Sequence, residues 1–522
     1  MTSTTTPISH DTFLRVIIVM CLGCLLMACQ GLPTFPHLAK SIALTKSVHT
    51  LYQTHTPSTL STLFTAPANA DTQSGYYPIA TGADALVSRV IFSEHAKHSI
   101  DVQYYIWHND AMGKLMLQDL WMAAERGVKV RLLLDDFNGS SDLDGVLTSF
   151  ARHPNIAVRL VNPATYRSWR SLNYLRHPII TNRRMHNKSM TFDRQVSLLG
   201  GRNIGNEYLG GTPHEFADSD VLVVGSVVAD ITRSFEEYWN AATSYDIETL
   251  NISARHKHSF DFSAYAHNVS DSPAYQAIAA QTELDTLLLN QTLPLRWGRV
   301  RFLADNASKL KGDSAFEDHL ISALQEEMGS PKHTLNIISS YFVPSAQGVK
   351  VLTDLAKSGV QINILTNSLE STDVISVQAG YGHWRKTLLA SGIRLFETKS
   401  HAPRADNTNH PTHKTSLHAK VFAIDDAKVF IGSYNIDPRS AHINSELGVV
   451  IDDGDLARQL RLGFSTDKIL THAYEVKLDG NQLQWHTLES GNLVIFYQEP
   501  HANPIKQAGI GILATTPIDG LL

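Results

Sequence analysis

One displacement, 232 residues, recurs through this chain of 522 residues. Gly127 and Gly359 differ by 359 − 127 = 232, and His186 and His418 by 418 − 186 = 232; Asp193 and Asp425, and Asn203 and Asn435, keep the same offset. A register held across both apolar and polar positions means two copies of one folding unit. Each copy has a strand-like run near its start, Lys97–Tyr105 and Lys332–Tyr341, then a helical stretch and a second apolar run, Gly127–Leu134 and Gly359–Leu365. Strand, helix and strand in this order predict βαβ units. The expected fold is α/β, with two pseudo-symmetric copies packed face to face about a pseudo-twofold axis around one shared site. The copies are expected over residues 75–290 and 291–522, with Thr243–Asn290 an insertion that has no counterpart.

The duplicated motifs carry reactive side chains. The first copy has His186-Asn187-Lys188 followed by Asp193, and the second has His418-Ala419-Lys420 followed by Asp425. Both fit His-x-Lys-x4-Asp. On a strand, residues i and i+2 share a face, so each histidine and its lysine project together. Small residues and an asparagine follow each motif: Gly200-Gly201-Arg202-Asn203 and Gly432-Ser433-Tyr434-Asn435. Glycines admit a ligand to the backbone, and an asparagine amide can bond a phosphate oxygen. The first copy has Gly201-Arg202 where the second has Ser433-Tyr434, so the two halves of the pocket are expected to differ.

This pair of motifs resembles the phospholipase D superfamily. Gly432–Ser440 and Asn444-Ser445-Glu446 are similar to its bacterial cardiolipin synthase branch, and Tyr104–Asp110 to the variant of that branch with a long, lipoprotein-like N-terminus. The resemblance implies a mechanism. Lys188 and Lys420, helped by Asn203, Asn435 and Ser433, neutralise a phosphodiester. His186 attacks phosphorus to give a phosphohistidine, and His418 serves as acid and base. Asp218, 32 residues after His186, and Glu446, 28 after His418, are the implied ring-orienting carboxylates. Asp193 and Asp425 hold backbone and turn. No metal and no organic cofactor are implied.

The remaining sequence bears on location and substrate. All three cysteines, Cys21, Cys24 and Cys29, lie in the first 29 residues, which excludes a disulfide framework or a cysteine-rich zinc site in the body. Val16–Ala28 is apolar, follows Arg15 and ends at Cys29, resembling a lipoprotein signal over residues 1–29 with Cys29 lipidated. Residues 30–74, rich in Ser, Thr, Ala and Pro, read as a tether. The expectation is a lipid-anchored protein of a bacterial membrane facing the periplasm, with inner and outer membrane both open.

Net charge is −6, which gives no global reason for nucleic-acid binding. Tyr166–Met185 is locally basic, with Arg167, Arg170, Arg176, Arg183 and Arg184 interleaved with Trp169 and Tyr174 and no acid. It suits an anionic headgroup layer or a nucleic-acid strand. The membrane signal and the resemblance favour anionic phospholipids and a membrane surface as partners over nucleic acid. Phosphatidyl transfer to make cardiolipin is the favoured activity. A hydrolytic phospholipase D or exported nuclease is the alternative, and a degenerate binding protein is disfavoured by the intact motifs.

Overall fold

The computed structural model describes residues 60, 63–64, 73–503 and 506, apart from 177, 254–255, 257–259, 265–266 and 402–413. The signal over residues 1–29, with Cys29, and nearly all of the tether over 30–74 lie outside the described residues.

Two large sheets dominate, of nine and ten strands. Eight strands follow the same spatial order in both. In the first sheet the order is Ser74–Ile79, Asp220–Gly225, Val196–Gly200, Ser189–Phe192, Ser99–Tyr104, Lys129–Asp135, Ile156–Val161 and Ser244–Asp246. In the second it is Val300–Ala304, Leu447–Asp452, Lys428–Gly432, Lys420–Ile424, Thr334–Ser339, Gln361–Asn367, Arg394–Thr398 and Ala473–Asp479. The fifth, sixth and seventh strands run parallel, as the βαβ reading requires, and their neighbours pair antiparallel. Arg296–Gly298 extends the first sheet, and the chain enters the second at Val300. The second sheet gains a hairpin, Gln482–Glu489 and Asn492–Phe496.

Period-2 alternation explains how the copies stack. In Lys420–Ile424, Phe422 and Ile424 join Phe430 and Val450 in a core under the second copy's helices. Val421 and Ala423 face the other way, into a core shared with Leu199, Val221 and Val223 of the first copy. Burying both faces of these strands makes the sheets pack face to face. Helices Gly82–His95 and Ala111–Glu125 cover the outer face of the first sheet, and Ala346–Lys357 and Ile375–Ala390 that of the second. Side chains stop the orphan amides at helix starts: Asp110 accepts from Gly113 N at 2.9 Å, and Ser345 from Gly348 N at 3.2 Å. The segment 243–290, expected to have no counterpart, begins with one, since its strand Ser244–Asp246 matches Ala473–Asp479; farther on it packs on Gly82–His95 through helices Pro273–Ala279 and Leu284–Leu289.

The motif aspartates tie each copy together. Asp193, at φ +48°, accepts from the backbone amides of Lys97, His98 and Ser99. Asp425, at φ +51°, does the same for Lys332, His333 and Thr334.

Candidate active site

Two backbone pairings between the copies create the site. His186 N donates to Ser445 O and Ser445 N to Arg184 O, both at 2.9 Å, so the chain entering the first motif runs beside the chain entering Glu446. On the other side Lys414–Leu417 pairs parallel with His214–Ala217, and His418 N donates to Ala217 O at 2.8 Å. Each histidine is thereby laid against the carboxylate of the other copy. His186 Nδ1 lies 2.8 Å from Glu446 Oε2, and His418 Nδ1 lies 2.6 Å from Asp218 Oδ2. Sequence spacing had counted Asp218 from His186 and Glu446 from His418; the partners are exchanged, because the pairing that aligns them is intermolecular in character though made within one chain.

All four reactive groups are buried and together. His186, Lys188, His418 and Lys420 are 6%, 1%, 5% and 0% exposed. Lys188 Nζ donates to His186 O at 2.7 Å, and Lys420 Nζ donates to His418 O and lies 3.1 Å from His418 Nδ1. Burial first, then Lys188, Lys420 and His418, hold the His186 imidazole well below its ordinary pKa. Burial and Lys420 lower His418, against the opposing pull of Asp218. Burial also lowers both lysines. A concentration of cationic and neutral groups in a desolvated pocket is what an anionic phosphodiester completes.

A family model described as cardiolipin synthase, PLD-like domain, matches residues 92–239 and 324–468, one stretch in each copy. The chain belongs to this PLD-like cardiolipin synthase family. It is 39% identical to cardiolipin synthase C of Escherichia coli (strain K12) over 86% of this chain and 96% of that one. It is 26% identical to cardiolipin synthase 1 of Bacillus anthracis over 77% and 68% respectively. The fold is similar to that of a solved phosphatidylserine synthase from Haemophilus influenzae Rd KW20, with TM-score 0.57 at 13% identity, covering 92% of this chain and 99% of that one. The protein is an enzyme of the phospholipase D-type phosphatidyltransferase class. No helix among the described residues is long and apolar enough to cross a membrane.

As a PLD-like synthase it has an asymmetric pocket, and the asymmetry lies behind the carboxylates. Arg202, fully buried, donates to the Ile79, Ala80 and Asp218 carbonyls. Although burial pushes the Asp218 carboxyl up, His418, Lys420 and Arg202 hold it below the ordinary carboxylate range. In the 232-residue register the residue matching Ser433 is Gly201, not Arg202: a Cβ at Gly201 would stand 2.1 Å from Asp218 Oδ1, whereas Ser433 stands beside Glu446. Its hydroxyl donates to Glu446 Oε2 at 2.5 Å, a neutral partner only. Burial therefore pushes Glu446 up to about 7, against Lys188 and Ser433.

All three residues expected to bind substrate have hydrogen-bond partners within the protein. Ser433 serves Glu446 and the Leu447 backbone, and is fully buried. Asn203 accepts from Ile106 N at 3.2 Å and donates to Tyr208 Oη at 3.1 Å, so its amide ties the loop after the motif to the first strand's end. Asn435 accepts from Ser340 Oγ at 3.1 Å through Oδ1.

The motifs do not reveal the aromatic walls. Tyr105 stands edge-on to His186 at 4.7 Å with Lys188 Nζ 5.2 Å over its ring. Tyr341 stands edge-on to His418 at 6.4 Å with Lys420 Nζ 5.9 Å over its ring. Each follows the strand that opens its copy's βαβ unit, but one register position apart: the motif aspartates match Ser99 with Thr334, so Tyr105 falls at the place of Ser340 and Tyr341 at that of Ile106, and the duplication does not point to them. Phe216 packs 5.3 Å from His418 and also lines an 840 Å³ cavity with Asp373, Lys399 and Ser416.

The basic stretch is arranged differently from its sequence reading. Arg167 and Arg170 turn inward onto Asp136 and Asp144, and Arg184 onto Asp135. The large apolar side chains left outside are Trp169, Leu172, Tyr174 and Leu175.

Proposed function

We propose that this enzyme makes cardiolipin by moving a phosphatidyl group from one phospholipid to the alcohol of another through a phosphohistidine. The single observation carrying this reading is the pair of buried His–Lys units facing one another, each ring held by a carboxylate of the other copy. Glu446 takes the His186 Nδ1 hydrogen and leaves Nε2 with its lone pair. In the first step His186 Nε2 attacks phosphorus, the bond from phosphorus to the donor's headgroup oxygen breaks, and His418 supplies the proton to that oxygen. In the second step His418 takes the proton from the acceptor's hydroxyl, whose oxygen displaces His186.

The asymmetry of the carboxylates supports this division. An ionised Asp218 stabilises an imidazolium at His418, which an acid must be. Ionised Glu446, raised by burial, draws a proton onto His186 less strongly than Asp218 draws one onto His418, which keeps His186 neutral as a nucleophile must be. Lys188 and Lys420 balance the non-bridging oxygens, and the polar cavity beyond Phe216 has room for an acceptor headgroup. We also propose that a lipidated Cys29 holds the enzyme at a bacterial membrane facing the periplasm; loss of acyl labelling in Cys29→Ala is the expected result.

Incubation of the full chain with phosphatidylglycerol labelled in its acyl chains tests the activity. Labelled cardiolipin is the expected product. Phosphatidic acid alone would mean that water is the acceptor and that the enzyme is a hydrolase.

A further inference from the structure

Residues 166–176 are folded inside out. Arg167 is 7% exposed; its Nε donates to Asp144 Oδ2 at 3.0 Å and its Nη1 to Asp136 Oδ2 at 3.0 Å. Arg170 reaches the same two carboxylates at 3.0 and 3.2 Å. Gly139 permits this approach, because a Cβ there would stand 2.3 Å from Arg170 Nη1 and 2.4 Å from Asp136 Oδ1. Asn173, also buried, ties Tyr166 and Arg170 together through three hydrogen bonds. The polar side chains are thus spent fixing the segment. Its apolar ones stand outside: Trp169 is 73% exposed, Leu175 56% and Tyr174 47%.

A segment clamped this firmly does not expose a tryptophan and two leucines for want of an alternative. Hydrophobic groups gathered on one crest mark an interaction surface. Two features on the page define the occupant. The crest is continuous with the catalytic pocket: Tyr174 and exposed Phe137 line one small cavity, Phe137 stacks on Tyr105 at 5.2 Å, and Tyr105 abuts His186. The charge left over is positive, since the segment has no acid and neither exposed Arg176 nor half-buried Arg183, which donates to Lys309 O, has a carboxylate partner among the described residues. An apolar crest with a tryptophan and a tyrosine, rimmed by arginine, matches the boundary between headgroups and acyl chains of an anionic bilayer.

We propose that Trp169, Leu172, Tyr174 and Leu175, with Phe137, form the surface that seats the enzyme on the phospholipid bilayer supplying its substrate. This rests on the phosphatidyl-transfer reading above. Seating here opens the His186 side of the pocket toward the membrane, so a donor lipid can present its phosphate while its acyl chains remain in an apolar phase.

The test uses the full chain with vesicles of phosphatidylglycerol whose acyl chains carry bromine, a short-range quencher of tryptophan fluorescence. Wild-type fluorescence should be quenched, and the quenched component should vanish in Trp169→Phe. Leu172→Ser/Leu175→Ser should lose tenfold or more of its turnover of vesicle lipid. It should hydrolyse soluble bis(p-nitrophenyl) phosphate at the wild-type rate. Equal quenching in wild type and Trp169→Phe would overturn the docking surface while leaving the chemistry standing. So would a sedimentation mass that depends on Trp169, which would make the crest a contact between copies. Failure of the wild type on the soluble diester and on lipid alike would instead overturn the functional reading.

Discussion

Glu446 Oε2 lies 2.8 Å from His186 Nδ1, although 260 residues and a change of repeat separate them. The mirror-related contact, Asp218 to His418, spans 200 residues in the opposite sense. Neither His186 nor His418 is paired with a carboxylate of its own copy. The duplicated chain is a dimer fused into one polypeptide, and its active centre exists only where the two copies meet.

Double-mutant cycles should expose this exchange. Glu446→Gln should lower kcat by roughly 10²-fold or more, since it leaves the His186 ring without its anionic partner. In combination with His186→Ala it should cost almost nothing further. Asp218→Asn should couple in the same way to His418→Ala. Strong coupling within each copy, between Asp218 and His186, would contradict the geometry.

The two supports behind the carboxylates predict different pH behaviour. Glu446 must be ionised to hold the His186 tautomer, and burial pushes it up to about 7. Removing the Ser433 hydroxyl bond favours the protonated form further. The acidic limb of kcat/KM should therefore move to higher pH in Ser433→Ala, by about one unit. A pH–rate profile on a soluble phosphodiester is the measurement, and an unmoved limb would remove Glu446 from this role.

Stability should carry the same signature. A carboxyl whose pKa is about 7 when folded and ordinarily 4.5 keeps its proton in the native state where the unfolded chain has lost it. Stability from this group is thus greatest below about 4.5, falls as pH rises to about 7, and is level above. Glu446→Gln cannot titrate. Its Tm should gain on the parent between pH 5 and pH 8, as read by calorimetry. Asp218, held low, works in the opposite sense: its contribution is present above the ordinary aspartate value and is lost as pH falls.

Asp193 and Asp425 predict a structural effect without a chemical one. Each accepts three backbone amides at a positive φ that aspartate and asparagine tolerate better than alanine. Asp193→Ala should lower stability by about 1–3 kcal/mol, since it strands the buried Ser99 amide and two partly buried ones. Asp193→Asn should recover part of the loss, because it keeps one acceptor and the backbone preference. Both should retain kcat in the folded fraction, measured beside thermal unfolding.

Much of this was legible in the sequence because the duplication is. The register from Gly127 and Gly359 to Asn203 and Asn435 announced two like units, and Val421-Phe422-Ala423-Ile424 announced a strand buried on both faces. The exchange of Asp218 and Glu446 was not legible. It depends on parallel pairing between Met185 and Ser445, and between Leu417 and Ala217, which no local pattern encodes. The fate of the arginines was hidden for a like reason: Asp136 and Asp144 lie outside the basic stretch, so composition within residues 166–185 could not show Arg167 and Arg170 turning inward.

The proposed division of labour between the histidines leads to the last prediction. Only the nucleophile bonds to phosphorus, so His186→Ala should yield no phosphoenzyme from any diester. His418→Ala keeps the nucleophile and loses the proton donor. That donor matters little when the leaving group is already acidic, as in a nitrophenyl phosphodiester. The His418 variant should therefore form the adduct with that substrate and release it slowly, because nothing deprotonates the acceptor. Phosphohistidine is acid-labile, so denaturation without acid followed by mass spectrometry should place the adduct on His186. An adduct on His418 in the wild type would reverse the roles and detach them from the carboxylate asymmetry. Stereochemistry gives an independent check, since two in-line displacements must return net retention at phosphorus, and inversion would exclude the two-step path.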